Sequence, residues 1–339
     1  MNVVVVAAHG LNCHWLGPYG NEWVTTPALD ALAAESTVFD RHFAATPSPA
    51  GFRADVEPLL TSRFTVLVDD RKSADASWRT WDAVVRTRPE AFSTPGDALI
   101  AAVREAIPQL AGRDGWALWI ETERMLPPWD LEFESYQHYA ETTGGFTDDA
   151  PDEEDHPAPT DTPQMGPIDV DDRRLWHQVR NSFAAAVSTL DGEIGRLIEL
   201  FRQSGLDRAA WIVTSGFGFP LGEHGIIGPA GSRLHVELSQ LPLIVRVPGA
   251  KPQRVATFTR PADLPTIVTG GPVAEREVAV SRLGPETAIR TADWTFLPAG
   301  DQPARLYVRP DDLWEVNDVA AREPDECDRL AALIPKEPT

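Results

Sequence analysis

The 339-residue chain has almost no lysine, little cysteine and no long apolar run, and each shortage closes off a class of protein. Lysine stands only at positions 72, 251 and 336, and the formal net charge is −21. Nucleic acid and anionic membrane both call for a basic surface, so neither is expected as a partner. Cys13 and Cys327 lie at opposite ends, which gives no disulfide framework and fits a reducing compartment. No stretch reaches the roughly 18 consecutive apolar residues of a membrane span. The first apolar run starts at residue 3 without a basic lead-in. It reads as a strand rather than a signal peptide, so a cytoplasmic location is expected.

What is present is globular: 42% hydrophobic residues, 24% charged, and 11 Trp. The length exceeds a usual single core, which predicts one large domain with a smaller one, here 1–270 and 271–339. Much of the negative charge is local. Asp148 to Asp172 carries ten carboxylates and no Lys or Arg. Around it, Gly144 to Pro167 is rich in Pro, Gly, Asp and Thr and nearly free of apolar residues. Such a segment buries too little surface to offset its ordering entropy, so a solvated, mobile acidic loop is expected at about 144–170. Its carboxylate spacing matches no EF-hand. It could recruit a basic protein partner; no other partner is indicated.

Periodicity supplies the elements. Val3–Val6, Thr65–Val68, Trp116–Glu121 and Ala209–Ser215 are buried-strand runs. Pro95–Leu110 and Asp172–Gln203 carry apolar residues at helical spacing. A short helix follows Thr26, its cap, with Pro27 at the first position. Thr46-Pro47-Ser48-Pro49 and Arg53 fall in a loop, and residues from Asp69 to about Arg88 are mostly polar. Alternating strand, helix and strand predicts a mostly parallel sheet covered on both faces.

Several motifs arrive in a familiar order: the first strand, Leu16-Gly17-Pro18-Tyr19-Gly20-Asn21, Thr26-Pro27-Ala28-Leu29-Asp30-Ala31-Leu32-Ala33, and Val38-Phe39-Asp40. Later come Asp191 before Gly195-Arg196-Leu197, Leu221-Gly222-Glu223-His224-Gly225, Leu241-Pro242-Leu243-Ile244-Val245-Arg246, and Asp263-Leu264-Pro265-Thr266. In these motifs the chain resembles the sulfatases of the alkaline phosphatase superfamily. The resemblance covers most of the chain, leaving out the acidic loop and roughly residues 70–95. It implies an α/β fold with a small C-terminal antiparallel sheet and helix.

The resemblance also implies a chemistry. Sulfatases cleave sulfate esters with a modified Cys or Ser in a Cys-x-Pro-x-Arg motif and a divalent cation, usually calcium. Its hard oxygen ligands come from two Asp after the first strand and an Asp-His or Asp-Asn after the Thr-Ser strand. This chain has His9-Gly10 at the first pair and Gly216-Phe217 at the second. Counting back from Arg53 puts Pro49 at the nucleophile position; counting back from Leu59–Arg63 puts Phe52 there. Ser48 lies close by, one place out of register. The family Lys is replaced by Pro229.

The expectation is therefore a sulfatase-like protein without hydrolysis, with no metal, no cofactor and no catalytic residue, serving as a binding or structural protein. The alternatives are a hydrolase of sulfuric or phosphoric esters rebuilt on Ser48 or Thr46 with His ligands, and an interaction module working through the acidic loop. The degenerate pocket would be formed by His9, Gly10, Ser48, Pro49, Arg53, Gly216, Phe217 and His224. His9 fits pocket lining and a buried, hydrogen-bonded imidazole equally. Arg53 fits an anion grip or an ion pair, and His224 fits a structural turn. Trp129, Phe217 and Phe219 are expected to fill the vacated site. His9, His14 and His42 lack the spacing of a zinc site.

Overall fold

The computed structural model describes residues 1–72, 78–92, 94–129, 131, 133–142 and 158–335. In chain order the first half runs β1 (Val3–Ala8), α1 (Pro27–Ala34), β2 (Thr37–Phe39), α2 (Pro49–Leu60), β3 (Phe64–Asp70), β4 (Ala83–Arg86), α3 (Pro95–Leu110), β5 (Trp116–Thr122) and α4 (Phe133–Thr142). The second half runs β6 (Gly166–Pro167), α5 (Arg173–Gln203), β7 (Ala210–Thr214), β8 (Ile226–Ile227), α6 (Val236–Ser239), β9 (Leu243–Arg246), β10 (Gln253–Val255) and α7 (Leu264–Val268). It closes with β11 (Ala279–Leu283), β12 (Glu286–Arg290), β13 (Trp294–Leu297), β14 (Arg305–Val308) and α8 (Pro324–Ala331).

An eight-stranded sheet in the order β10-β2-β9-β7-β1-β5-β3-β4 forms the centre. Only β9 runs antiparallel to its neighbours β7 and β2. β1 sits between β5 and β7, parallel to both, and is fully buried. Successive strand side chains point to opposite faces. Val4, Val6 and Ala8 accordingly enter the core beneath α3 and α5, and Val3, Val5 and Ala7 the core beneath α2 and α7. A four-stranded antiparallel sheet, β11-β12-β13-β14, follows near the C-terminus. Its Arg282 N–H and Ser281 hydroxyl donate to the carbonyls of Ala45 and Ala44 at 2.8 and 2.6 Å, which ties it to the body.

Several local expectations are corrected. The segment around Arg53 is a helix, α2, and no loop. Ser48 caps it by accepting from Gly51 N at 3.1 Å, and Pro49 occupies the first turn. The polar stretch after β3 contains an edge strand, β4. Thr26 precedes α1 without capping it; its hydroxyl accepts from Gly17 N instead. The cap comes from α5, where the Asp191 carboxylate accepts from Ala28 N at 3.0 Å and Leu29 N at 2.8 Å. A capping carboxylate can belong to any element that reaches the four orphan N–H groups of a helix start.

Of the acidic loop expected at about 144–170, residues up to 157 lie outside the described ones. The remainder is held against the body. Asp161 O accepts from Trp129 N, Ser182 Oγ from Thr160 N, and β6 pairs with β8. Those backbone bonds outweigh the low apolar content that suggested mobility. Among the described residues, no helix is long and apolar enough to cross a membrane.

Candidate functional site

The period of two that buries β1 also aims His9. It follows Ala7 on the α2 face, at the carboxyl end of the sheet, and is fully buried. On the neighbouring strand the register Ala7↔Glu121 brings a carboxylate beside it. Glu121 is completely buried as well, and five donors converge on it. Its Oε1 accepts from His9 Nε2 at 3.0 Å, Arg53 Nε at 2.9 Å and Arg53 Nη2 at 2.6 Å. Its Oε2 accepts from the indole N–H groups of Trp78 at 3.1 Å and Trp119 at 3.2 Å.

His9 is fixed on its other side too. Gly216 N donates to Nδ1 at 3.3 Å, so the ring proton sits on Nε2 and goes to Glu121. Phe217 stacks on the ring at 5.5 Å between centroids, and Phe52 meets it edge-on at 5.7 Å. Burial alone would raise the Glu121 pKa; the hydrogen bond from His9, with the charge and hydrogen bonds of Arg53, overcomes it and holds it at about 2.

The sequence-derived candidates divide. His9, Arg53, Gly216 and Phe217 come together around Glu121. Gly10 only shapes the backbone, donating its N–H to Phe217 O at 2.9 Å. Ser48 and Pro49 are spent on starting α2. His224 belongs elsewhere. It stacks on His235 at 3.5 Å between centroids and lies 3.5 Å from Glu237 Oε1. His235 in turn meets Glu315 at 3.1 Å. Trp129 and Phe219 pack with each other, and Trp129 with Phe183 of α5, so of the three aromatics only Phe217 stacks on His9. His14 packs on Trp314 and His42 bonds Thr259, so the three early histidines form no common site.

Glu121 is the residue that sequence reasoning missed. The signal was available: a carboxylate that closes a buried strand must be paired, since burying it alone is costly.

The divalent cation implied by the resemblance does not fit these residues. A carboxylate offers about four lone-pair sites, and Glu121 already receives five donors. Both His9 nitrogens are engaged. Nor is there room to supply the missing acids. A Cβ on Gly216 would stand 2.9 Å from both His9 Cε1 and Phe52 Cβ. Gly10 holds φ +93°, and a Cβ there would meet Met125 O and Leu126 Cδ2 at 2.8 Å. Among the described residues, no cluster of three or more His, Cys, Asp or Glu could hold a metal ion.

Residues 129–269 match the family model described as Sulfatase. The fold is similar to the phosphonate monoester hydrolase of Agrobacterium radiobacter, with 18% identity, a TM-score of 0.70, and coverage of 98% of this chain and 94% of that one. The phosphonate monoester hydrolase of Silicibacter pomeroyi gives 17%, 0.68, 98% and 93%. A 2-O GAG sulfatase gives 14%, 0.67, 98% and 89%. No curated protein sequence matches. The family-model match and the shared fold of these sulfatase and phosphonate hydrolase structures support a kinship with the sulfatases. The match carries the fold and kinship, while the residues around His9 decide what chemistry is open to it.

Proposed function

We propose that this chain is a sulfatase-family protein that has given up ester hydrolysis and serves as a binding or structural protein. The observation that carries this reading is the saturated Glu121. The position beside the first strand's tip is filled by an internal ion pair between aromatic rings, where hydrolysis needs a cation, a nucleophile and an open face. Ser48, the nearest hydroxyl to the nucleophile position, is engaged as a helix cap. A hydrolase rebuilt on Ser48 or Thr46, and a module recruiting a basic protein through the acidic loop, remain the competing readings. The proposed organisation is a main α/β domain over 1–270 and a C-terminal subdomain over 271–339. Two free thiols, Cys13 and Cys327, support a cytoplasmic setting.

Turnover of 4-nitrophenyl sulfate and 4-nitrophenyl phenylphosphonate decides between them, with calcium, manganese or zinc added in turn. This reading expects no product above the buffer rate under any condition. Metal-dependent product formation would support the rebuilt hydrolase.

A further inference from the structure

A separate cleft opens at the carboxyl ends of β3, β4 and β5, the edge where open α/β sheets take ligands. It encloses about 460 Å³, a volume suited to a small molecule. None of His9, Arg53, Gly216 and Phe217 lines it. Part of its wall comes from the stretch that the family resemblance leaves out, with Arg71, Lys72 and Arg86. Its apolar side includes Trp129 and, from α5, Leu190.

The lining carries charges of both signs. Arg71, Lys72, Arg86 and Arg124 face three carboxylates, Asp69, Asp70 and Asp161. Arg124 is committed: it donates to Asp70 Oδ2 at 2.8 Å and to Glu193 Oε1 at 2.9 Å. Lys72 Nζ donates to the carbonyls of Leu126 and Pro128. Asp161 accepts from Leu131 N. Asp69 alone serves two guanidinium groups. Arg71 takes both of its oxygens, at 2.7 and 3.1 Å, and Arg86 Nη2 lies 3.3 Å away. The Arg71 side chain is wholly buried, yet its Nη1 has no acceptor among the described residues. Buried donors in folded proteins are nearly always satisfied, so this one marks a place for an acceptor. Arg86, 59% exposed, stands at the rim beside it.

We propose that this cleft binds a small amphipathic monoanion, with an apolar body against Trp129 and Leu190 and a carboxylate or sulfate group on Arg71 Nη1 and Arg86. A guanidinium presents paired N–H groups that match either oxyanion. The site is independent of the chemistry at His9, and its test is a binding test.

Isothermal titration of the full chain with 4-phenylbutyrate, 4-phenylbutyl sulfate and neutral 4-phenylbutanol examines it. At least one anion binds saturably at one equivalent, and the alcohol binds about tenfold more weakly or worse, the scale of one charge-assisted contact. Which anion binds identifies the headgroup. Arg86→Ala, on the exposed rim, weakens the anion about five- to tenfold with an unchanged melting temperature. Ala186→Leu, which narrows the cleft from α5, weakens anion and alcohol together. The proposal is overturned by no saturable binding of either anion, by equal binding of the alcohol, or by anion affinity unchanged in both variants.

Discussion

Arg53 Nε lies 2.9 Å from Oε1 of Glu121, joining the first turns of α2 to the end of β5 across 68 residues. The arginine that sits where the family's sequence motif would carry one has its anion inside the protein. His9 takes the same oxygen at 3.0 Å. The result is a buried, fully bonded network at the carboxyl end of the central sheet.

Glu121 is therefore expected to matter for stability. Glu121→Ala leaves Arg53, His9 and two indole N–H groups without their acceptor. Removing one partner of a buried pair costs about 3–5 kcal/mol. Urea denaturation at pH 7 reads this as a lower midpoint with an unchanged slope. A loss under about 1 kcal/mol, the range of exposed ion pairs, would contradict it.

The same residue gives a pH signature. Its folded pKa is depressed to about 2 from the ordinary glutamate value of 4.5. The stability it confers is thus present above pH 4.5 and is lost as pH falls toward 2. The shift corresponds to about 3 kcal/mol, an order-of-magnitude figure. In denaturation at a series of pH values, the gap between wild type and Glu121→Gln should hold steady above pH 5 and narrow below 4.5. A gap that stays constant down to pH 3 would count against the network.

Glu193 of α5 runs the opposite way. Burial raises its pKa to about 7, outweighing Arg124. The folded state then holds a proton that the unfolded chain releases near 4.5. Relative stability is fullest below that pH and is lost as pH rises through about 7. Glu193→Gln, neutral throughout, should gain on wild type between pH 5 and 7.5, by up to about 3 kcal/mol. A pH-independent difference would refute the assignment.

Restoring an acid at the second strand tip is expected to fail sterically. Gly216→Asp places its Cβ 2.9 Å from His9 and Phe52. Overpacking of this kind costs about 1–3 kcal/mol. Thermal melts should show a lower transition temperature that calcium does not recover. Recovery of several degrees on adding calcium would mean that the site can be reopened.

His224 supplies a weaker pH effect. Burial lowers its pKa, but the Glu237 carboxylate 3.5 Å away wins, and the net shift is upward. Its contribution is full below the ordinary histidine value and is lost as pH rises through the folded one. His224→Asn should therefore cost more stability at pH 6 than at pH 8.5. Equal losses at the two pH values would place its role in packing alone.

How much of this was legible in the sequence follows from the range of each interaction. β1, β3, β5 and β7 are dense apolar runs, and α3 and α5 repeat at helical spacing, so local pattern sufficed. α2 escaped because Gly51 and Pro58 dilute its helical character, although Ser48 and Pro49 mark its start. β4 is a four-residue edge strand with exposed alternate positions, too short to stand out. The Asp191 cap on α1 spans 162 residues to Leu29, and no local rule could report it. At the site, the absence of acids at His9-Gly10 and Gly216-Phe217 was plain from the motifs. What had taken their place was not, because Glu121, Trp78 and Trp119 lie outside every family motif and meet His9 only through strand register.

Calcium titration of the purified chain, followed by heat, tests the account most directly. The account predicts no saturable one-to-one binding, and identical weak heats for wild type and Glu121→Gln. Stoichiometric calcium binding that disappears in Glu121→Gln would show that the carboxylate can leave its five donors for a cation, and the reading of the His9 site would fall.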